Sequence, residues 1–132
     1  MGAKPLFILL CSGEHEKIQM TAMMASVAAV SERPVTVLVT MNALAAFEKG
    51  LDRSRRYKGG NFSKLMIDKE APDAFGLLGQ GKALGDLRIH VCSMALDIHG
   101  WTLDNLADDL FDGELGLTRF LSDAEAGDLV TM

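Results

Sequence analysis

Cys92 is the residue whose setting most suggests chemistry. It follows the strand-like residues 89–91 and precedes a short helix-like stretch that Gly100 would end. Ligands of open parallel sheets bind at the carboxyl ends of strands, and the free N–H groups at a helix start favour a thiolate. Free cysteine is also among the most buried residue types and packs as a small hydrophobe. From the residues alone, Cys92 could be either a reactive thiol or a buried structural residue.

Four neighbours could support chemistry at Cys92. Ser93 and Met94 would begin the helix that follows the thiol. Cys11 ends the first predicted strand, and His15 lies in the turn after it. If the two cysteines lie on the same edge of the sheet, they could instead form a redox disulfide. The order of the strands decides this, and it cannot be read from the residues.

A basic stretch, "KGLDRSRRYKGG" at 49–60, is the second candidate for a site. Runs of charge are most often solvated loops. A cluster of cations also makes a locally positive field that can contact an anionic partner or the acidic group of a substrate. The residues expected to make such contacts are Arg53, Arg55, Arg56 and Lys58.

Metal and nucleotide sites are not expected. The three histidines are spread along the chain, and neither H-x-x-x-H nor C-x-x-C occurs, so no metal or cofactor is predicted. His90 alternates with apolar neighbours and is predicted to be a structural histidine with a satisfied ring. "GLLGQGKA" at 76–83 resembles a phosphate-binding loop, but Ala83 stands where Ser or Thr would hold magnesium. A helix loosened by glycines is the better interpretation.

Composition indicates one soluble domain. The chain has 132 residues, 48 % of them hydrophobic, with a net charge of -5 and a pI near 5.1. An acidic chain is a poor candidate for nucleic acid as its main ligand. Two cysteines are too few for a secreted disulfide framework. The apolar runs at 5–10 and 20–30 are too short for a signal peptide or a membrane span, so a cytoplasmic protein without a membrane partner is expected.

Strand-like and helix-like stretches alternate along the whole chain. Such alternation predicts an α/β fold: a single-domain three-layer α/β/α sandwich with a mostly parallel sheet of about five strands. Residues 61–73 are weakly patterned and are predicted to be irregular or one short element, and Gly113 and Gly116 should break the chain. The strands are predicted at 5–10, 35–40, 87–91 and 128–132, and the helices at 17–31, 43–49, 73–84, 93–99, 102–110 and 117–127.

The helix predicted at 17–31 is apolar on nearly all sides. Methionine and valine occupy one broad face and alanines the other. A helix without a polar face is normally buried on several sides. In a domain of this size a second subunit could supply the extra cover, so a homo-oligomer is expected.

Three segments resemble the DsrE/DsrF-like sulfur-relay family, which includes the TusD-type subunits. They are the opening "PLFILLCSGEHEKIQMTAMMASVAAV", the central "LRIHVCSMALDIHG" and the ending "LGLTRFLSDAEAGDLVTM". The resemblance implies one such domain over 1–132, with Cys92 carrying sulfane sulfur as a persulfide between donor and acceptor proteins. It also implies a trimer or hexamer.

Cys11 departs from the family's pattern and keeps a Cys11–Cys92 redox pair open. Some members of the family lack a working cysteine. A non-catalytic subunit or a small-molecule-binding protein of the same fold therefore also remains an alternative.

Overall fold

Five parallel strands form the single sheet of the computed structural model, which describes residues 2–132. The strands are β1 (Leu6–Leu10), β2 (Val35–Val39), β3 (Leu87–Cys92), β4 (Gly113–Leu115) and β5 (Asp128–Thr131). Their order across the sheet is β4-β3-β2-β1-β5, and every neighbouring pair is parallel. The predicted α/β class is confirmed, and the sheet is parallel throughout.

Six α-helices and two 3₁₀ segments connect these strands. The helices are α1 (His15–Val30), α2 (Arg53–Arg56), α3 (Asn61–Asp68), α4 (Ala74–Leu84), α5 (Ser93–His99) and α6 (Leu117–Ala124), and the 3₁₀ segments are Met41–Phe47 and Leu103–Asn105. Gly100 ends α5 in the left-handed region, with φ 71°, as predicted. The stretch that resembles a phosphate-binding loop lies inside α4.

Helices cover both sides of the sheet. α1 and α4 pack together on the side that Leu6 faces, and Gly85 lets the end of α4 approach the α1 backbone, where a Cβ would collide with Ala29. Phe7 points to the opposite side, because side chains alternate along a strand. There its ring meets Phe120 of α6 edge-on, with the centroids 5.8 Å apart.

α1 is covered on one side only within this chain. The face of small residues is buried, whereas the face that carries methionines and valines is open, with Val27 67 % exposed. Burial on several sides, which is normal for a helix without a polar face, is therefore not reached within one chain. The open apolar side chains on α1 are Met20, Met23, Val27 and Val30.

Several segments differ from their sequence predictions or were left open by them. Residues 61–73, predicted to be irregular or one short element, include α3, which is only two turns long and too short to show a clear period. The helix predicted at 102–110 stops after the 3₁₀ turn, since the aspartates that follow favour turns and Asp109 takes φ 59°. Gly113, expected as a break, begins the short edge strand β4.

No helix within residues 2–132 combines the length and the apolar character that crossing a bilayer requires.

Candidate functional site

A row of three polar or thiol-bearing residues lies at the carboxyl edge of the sheet. β1, β2 and β3 are neighbours in register, and the residues one step past their last shared position are Cys11, Thr40 and Cys92. The Thr40 amide donates to the Leu10 carbonyl at 2.9 Å, so the ladder continues to this point. We call Cys11, Thr40 and Cys92 the thiol row.

The two thiols of the row are close but not bonded. Both are free cysteines. Two strand intervals separate them, which corresponds to roughly 10 Å between their Cα atoms. A disulfide needs Cα atoms within about 7 Å. A Cys11–Cys92 disulfide would therefore require the backbone to move.

The two thiols differ in exposure and influence each other. Cys92 is 4 % exposed and is the N-cap residue of α5. Cys11 is half-buried and so the more accessible thiol. Burial raises the pKa of the Cys11 thiol, and the negative charge of a Cys92 thiolate raises it further. The thiols are thus within electrostatic range of one another.

Apolar side chains are exposed beside Cys92, the buried thiol of the row. Ser93 begins α5 and is partly exposed, and Met94, which follows it, is 53 % exposed. A cleft of about 280 Å³ opens next to α5. It is lined by Met41, Asn42, Ala95, Ile98 and His99.

His15 belongs to a separate cluster. It is 1 % exposed, and a hydrogen bond of 2.6 Å joins its Nδ1 to Ser63 Oγ. Its ring stacks on Tyr57, with the centroids 4.2 Å apart, and Tyr57 Oη donates to Asp73 Oδ1 at 2.7 Å. We call His15, Tyr57, Ser63 and Asp73 the His15 cluster. Its polar contacts include neither thiol, so the expected supporting role of His15 beside Cys92 is not seen.

Burial shifts the titration of both rings in the cluster. It lowers the pKa of His15, and the positive charge of Arg53 lowers it further, against the opposing charges of Asp73 and Glu16. Burial also raises the pKa of Tyr57, aided by the hydrogen bond to Asp73. Both rings are therefore held neutral around pH 7, which suits packing better than proton transfer.

The four expected cationic contacts are divided between two locations. Arg53 lies apart from the other three, because it forms an ion pair with Asp73, with 3.4 Å between Arg53 Nε and Asp73 Oδ1. The other three, Arg55, Arg56 and Lys58, line one cleft of about 600 Å³ at the carboxyl edge. Neither cysteine is among the residues that line this cleft.

His90 is not the satisfied histidine that was predicted. Its Nδ1 is buried without a hydrogen-bond partner among residues 2–132. The strand pattern correctly placed the residue on β3. The pattern could not show whether the ring has a partner. The residues that pair with His90 on the two neighbouring strands, Leu38 and Gly113, carry no polar side chain.

Within residues 2–132, no three His, Cys, Asp or Glu side chains come together in an arrangement that could hold a metal ion.

Four residues of these sites were not singled out from the sequence. Thr40 ends a predicted strand next to those that carry the cysteines, so strand order would have been needed to find it. The other three, Tyr57, Ser63 and Asp73, come together only through tertiary packing. The one available signal was that Tyr57 is the only tyrosine of the chain and stands inside a charged stretch.

Comparison with known proteins supports the fold alone. The chain matches no protein-family model, and no curated protein matches it. Among solved structures, a protein of unknown function, MTH1491 from Methanobacterium thermoautotrophicum, is similar, with a TM-score of 0.65 and 11 % identity. The match covers 98 % of this chain and 100 % of that one.

Proposed function

We propose that this protein is an intracellular sulfur carrier that holds sulfane sulfur as a persulfide on Cys92. The thiol row is the observation that carries the proposal. It sets a cysteine between a central strand and a helix, at the edge where parallel sheets bind ligands, with a second thiol on the same edge. The resemblance of the segment around Cys92 to the DsrE/DsrF-like family agrees with this assignment.

The transfer needs only a thiol on each protein. The Cys92 thiolate attacks the outer, sulfane sulfur of a persulfide on the donor protein. The donor's S–S bond breaks, the donor leaves as a thiolate, and an S–S bond forms on Cys92. The same exchange with an acceptor thiol returns Cys92 to its starting state, so the chain undergoes no net oxidation. Thr40, on the strand between, offers a hydroxyl that can donate to the persulfide anion.

Cys92 is nearly covered, so a protein-borne persulfide is proposed to reach it after a partner docks and moves the covering side chains, whereas a small polysulfide anion reaches it through local motion alone. The exposed apolar side chains beside it, among them Met94 and Ile98, suit contact with a partner protein. Methionine adapts its shape readily to different partners. Sulfur-donor and sulfur-acceptor proteins are therefore proposed to dock on the α5 side of the row.

Peptide mass spectrometry after incubation with polysulfide tests the proposal. A gain of about 32 Da, one sulfur atom, is expected on the Cys92 peptide. Cys11→Ser should keep the adduct and Cys92→Ser should lose it. A Cys92 that stays unmodified and resists iodoacetamide would instead support the non-catalytic or small-molecule-binding alternative.

A redox function is tested separately. Free thiols are counted after mild oxidation, and two remaining thiols would exclude a Cys11–Cys92 disulfide. We expect two, because the spacing of the strands keeps the cysteines apart.

We also propose that the chain forms a homo-oligomer, a trimer or hexamer, through the open face of α1. The exposed methionines and valines of that face support this. Light scattering should give a multiple of 14.2 kDa, and Val27→Asp should shift it toward the monomer. A monomer in the unmodified protein would contradict the proposal.

A further inference from the structure

A cleft at the carboxyl edge, apart from the thiol row, gathers most of the basic stretch. It has a volume of about 600 Å³, within the usual range of small-molecule sites. One wall is the turn after β1, which includes Gly13 and Glu14. The other walls come from the 3₁₀ segment Met41–Phe47 and from residues 48–59. We call it the cationic cleft.

Contacts with the fold hold this basic stretch in place, unlike a solvated loop. Arg56 donates to the carbonyls of Ala46 at 2.6 Å and of Leu51 at 2.9 Å, and its guanidinium lies 4.2 Å from the centre of the Phe75 ring. The His15 amide donates to the Lys58 carbonyl at 2.8 Å. The backbone that carries these cations is therefore already ordered without a ligand. Such preorganisation lowers the entropic cost of binding.

The cations around the cleft form few ion pairs. Arg56 and Lys58 form no ion pair with any carboxylate among residues 2–132. Arg55 has only an exposed pair with Asp52 at 3.6 Å, and exposed pairs of this kind contribute little.

Two acids also line the cleft and limit what it can hold. They are Glu14 and Glu48, which stand against the three cations Arg55, Arg56 and Lys58. Three positive charges against two negative ones leave an excess of one positive charge. Such an excess suits a single anionic head group and disfavours polyphosphates and nucleic acids. Ala45, Ala46 and Leu51 add an apolar surface for the rest of a ligand.

We propose that the cationic cleft binds a small molecule through one oxyanion head, either a carboxylate or a phosphate monoester. Arg55 and Lys58 contact the oxyanion directly, because both side chains are exposed. Arg55 gives up only two long, exposed contacts to do so, with Asp52 at 3.6 Å and with the Gly50 carbonyl at 3.4 Å. Arg56 is a positioning residue, since its guanidinium is already bound to backbone carbonyls. This site is independent of sulfur transfer on Cys92.

Titration followed by backbone amide NMR tests the site. The probes are inorganic phosphate and butyrate, a monocarboxylate, added to the full chain at low ionic strength because salt screens such contacts. Saturable shifts at millimolar probe are expected at Gly13, Asn42 and Gly59, which line the cleft. The probe that binds more tightly identifies the oxyanion.

Matched variants decide which residues bind. R55Q/K58Q should weaken binding about a hundredfold, from about tenfold for each lost charge-assisted contact. The control R88Q/K64Q removes two exposed cations outside the cleft and should bind as the unmodified chain does. Cys92→Ser should also bind unchanged, so that this site and sulfur transfer are judged separately.

Several results would overturn the proposal. One is the absence of saturable shifts with both probes. Others are equal binding by R55Q/K58Q, or a loss of binding in Cys92→Ser. Tighter binding of tripolyphosphate than of phosphate would indicate a general polyanion surface instead of a site for one head group.

Discussion

The thiol row and the His15 cluster both contain residue types that enzymes use, yet they are built differently. In the His15 cluster the polar side chains are paired, His15 with Ser63 and Tyr57 with Asp73. In the thiol row, no side-chain hydrogen bond involves Cys11, Thr40 or Cys92 among residues 2–132. A paired and buried group resists displacement, whereas an unpaired one has no hydrogen bond to break before it meets a reactant. The contrast supports a structural role for the cluster and agrees with the reactive role proposed for the row.

Removing the aromatic ring at the centre of the cluster should have the largest effect. Tyr57 is buried and stacks on His15, so Tyr57→Ala should lower the free energy of unfolding by about 3–5 kcal/mol, as for other buried aromatics. Cys11→Ser, in the row, should cost less than about 1 kcal/mol, because the thiol is half-buried and makes no side-chain hydrogen bond. Urea unfolding followed by circular dichroism measures both.

Phe62→Ala is the matched control, since that ring is 54 % exposed and should matter much less. If Cys11→Ser destabilised the chain as much as Tyr57→Ala does, the division into a structural cluster and a free row would be wrong.

A smaller effect should follow from deleting only the Tyr57 hydroxyl. Tyr57→Phe keeps the stacked ring and loses the 2.7 Å hydrogen bond to Asp73. A hydrogen bond to a charged group contributes about 1.5–3 kcal/mol, and the partial exposure of Asp73 places the expected loss near the lower end.

A double-mutant cycle with Asp73→Asn measures this coupling directly. Asparagine can still cap α4, where Asp73 accepts from the Gly76 amide, so the helix start is preserved. No coupling between the two substitutions would show that the hydroxyl contributes nothing to the cluster.

The thiol row was largely predictable from sequence, and the cluster was not. A short apolar run that ends in cysteine marks a strand end, so Cys11 and Cys92 could be placed at strand ends from local patterns. How far apart those strand ends lie in the sheet depends on strand pairing over long sequence distances. That pairing places β2 between β1 and β3, and so places Thr40 between the two cysteines. The cluster joins residues from α1, α3 and two loops, and no local period connects such positions.

Weak local signals and long-range contacts also explain what the sequence could not show. Gly113 looked like a break, because strand signals are weak in three residues with a glycine at the edge. Arg53 looked like its cationic neighbours, because its ion pair with Asp73 spans twenty positions of sequence. Charge along the chain therefore identified the basic stretch but could not show which of its cations remain uncompensated.

The stability of the cluster should depend on pH through His15. Burial, and then the charge of Arg53, lowers the pKa of His15 in the folded chain below its ordinary value of 6.5. As the pH falls through 6.5, the unfolded chain binds a proton that the folded chain does not, so stability decreases. The decrease ends below the folded pKa, where both states are protonated. His15→Gln should flatten this dependence in urea unfolding between about pH 5 and pH 8, and an unchanged slope would place the titration elsewhere.

The smallest expected effect concerns the coupling within the row itself. The pKa of Cys11 is raised from 9.0 by burial and then by the charge of Cys92. Cys92→Ser removes the second cause and keeps the first, so the pKa of Cys11 should fall but stay above 9.0. The pH dependence of alkylation by iodoacetamide, followed on the Cys11 peptide, should therefore move to lower pH. Thr40→Val is the control, because it keeps both thiols and their mutual repulsion. If the pH dependence of Cys11 alkylation is the same in Cys92→Ser, the two thiols do not interact electrostatically, and the row is two independent cysteines.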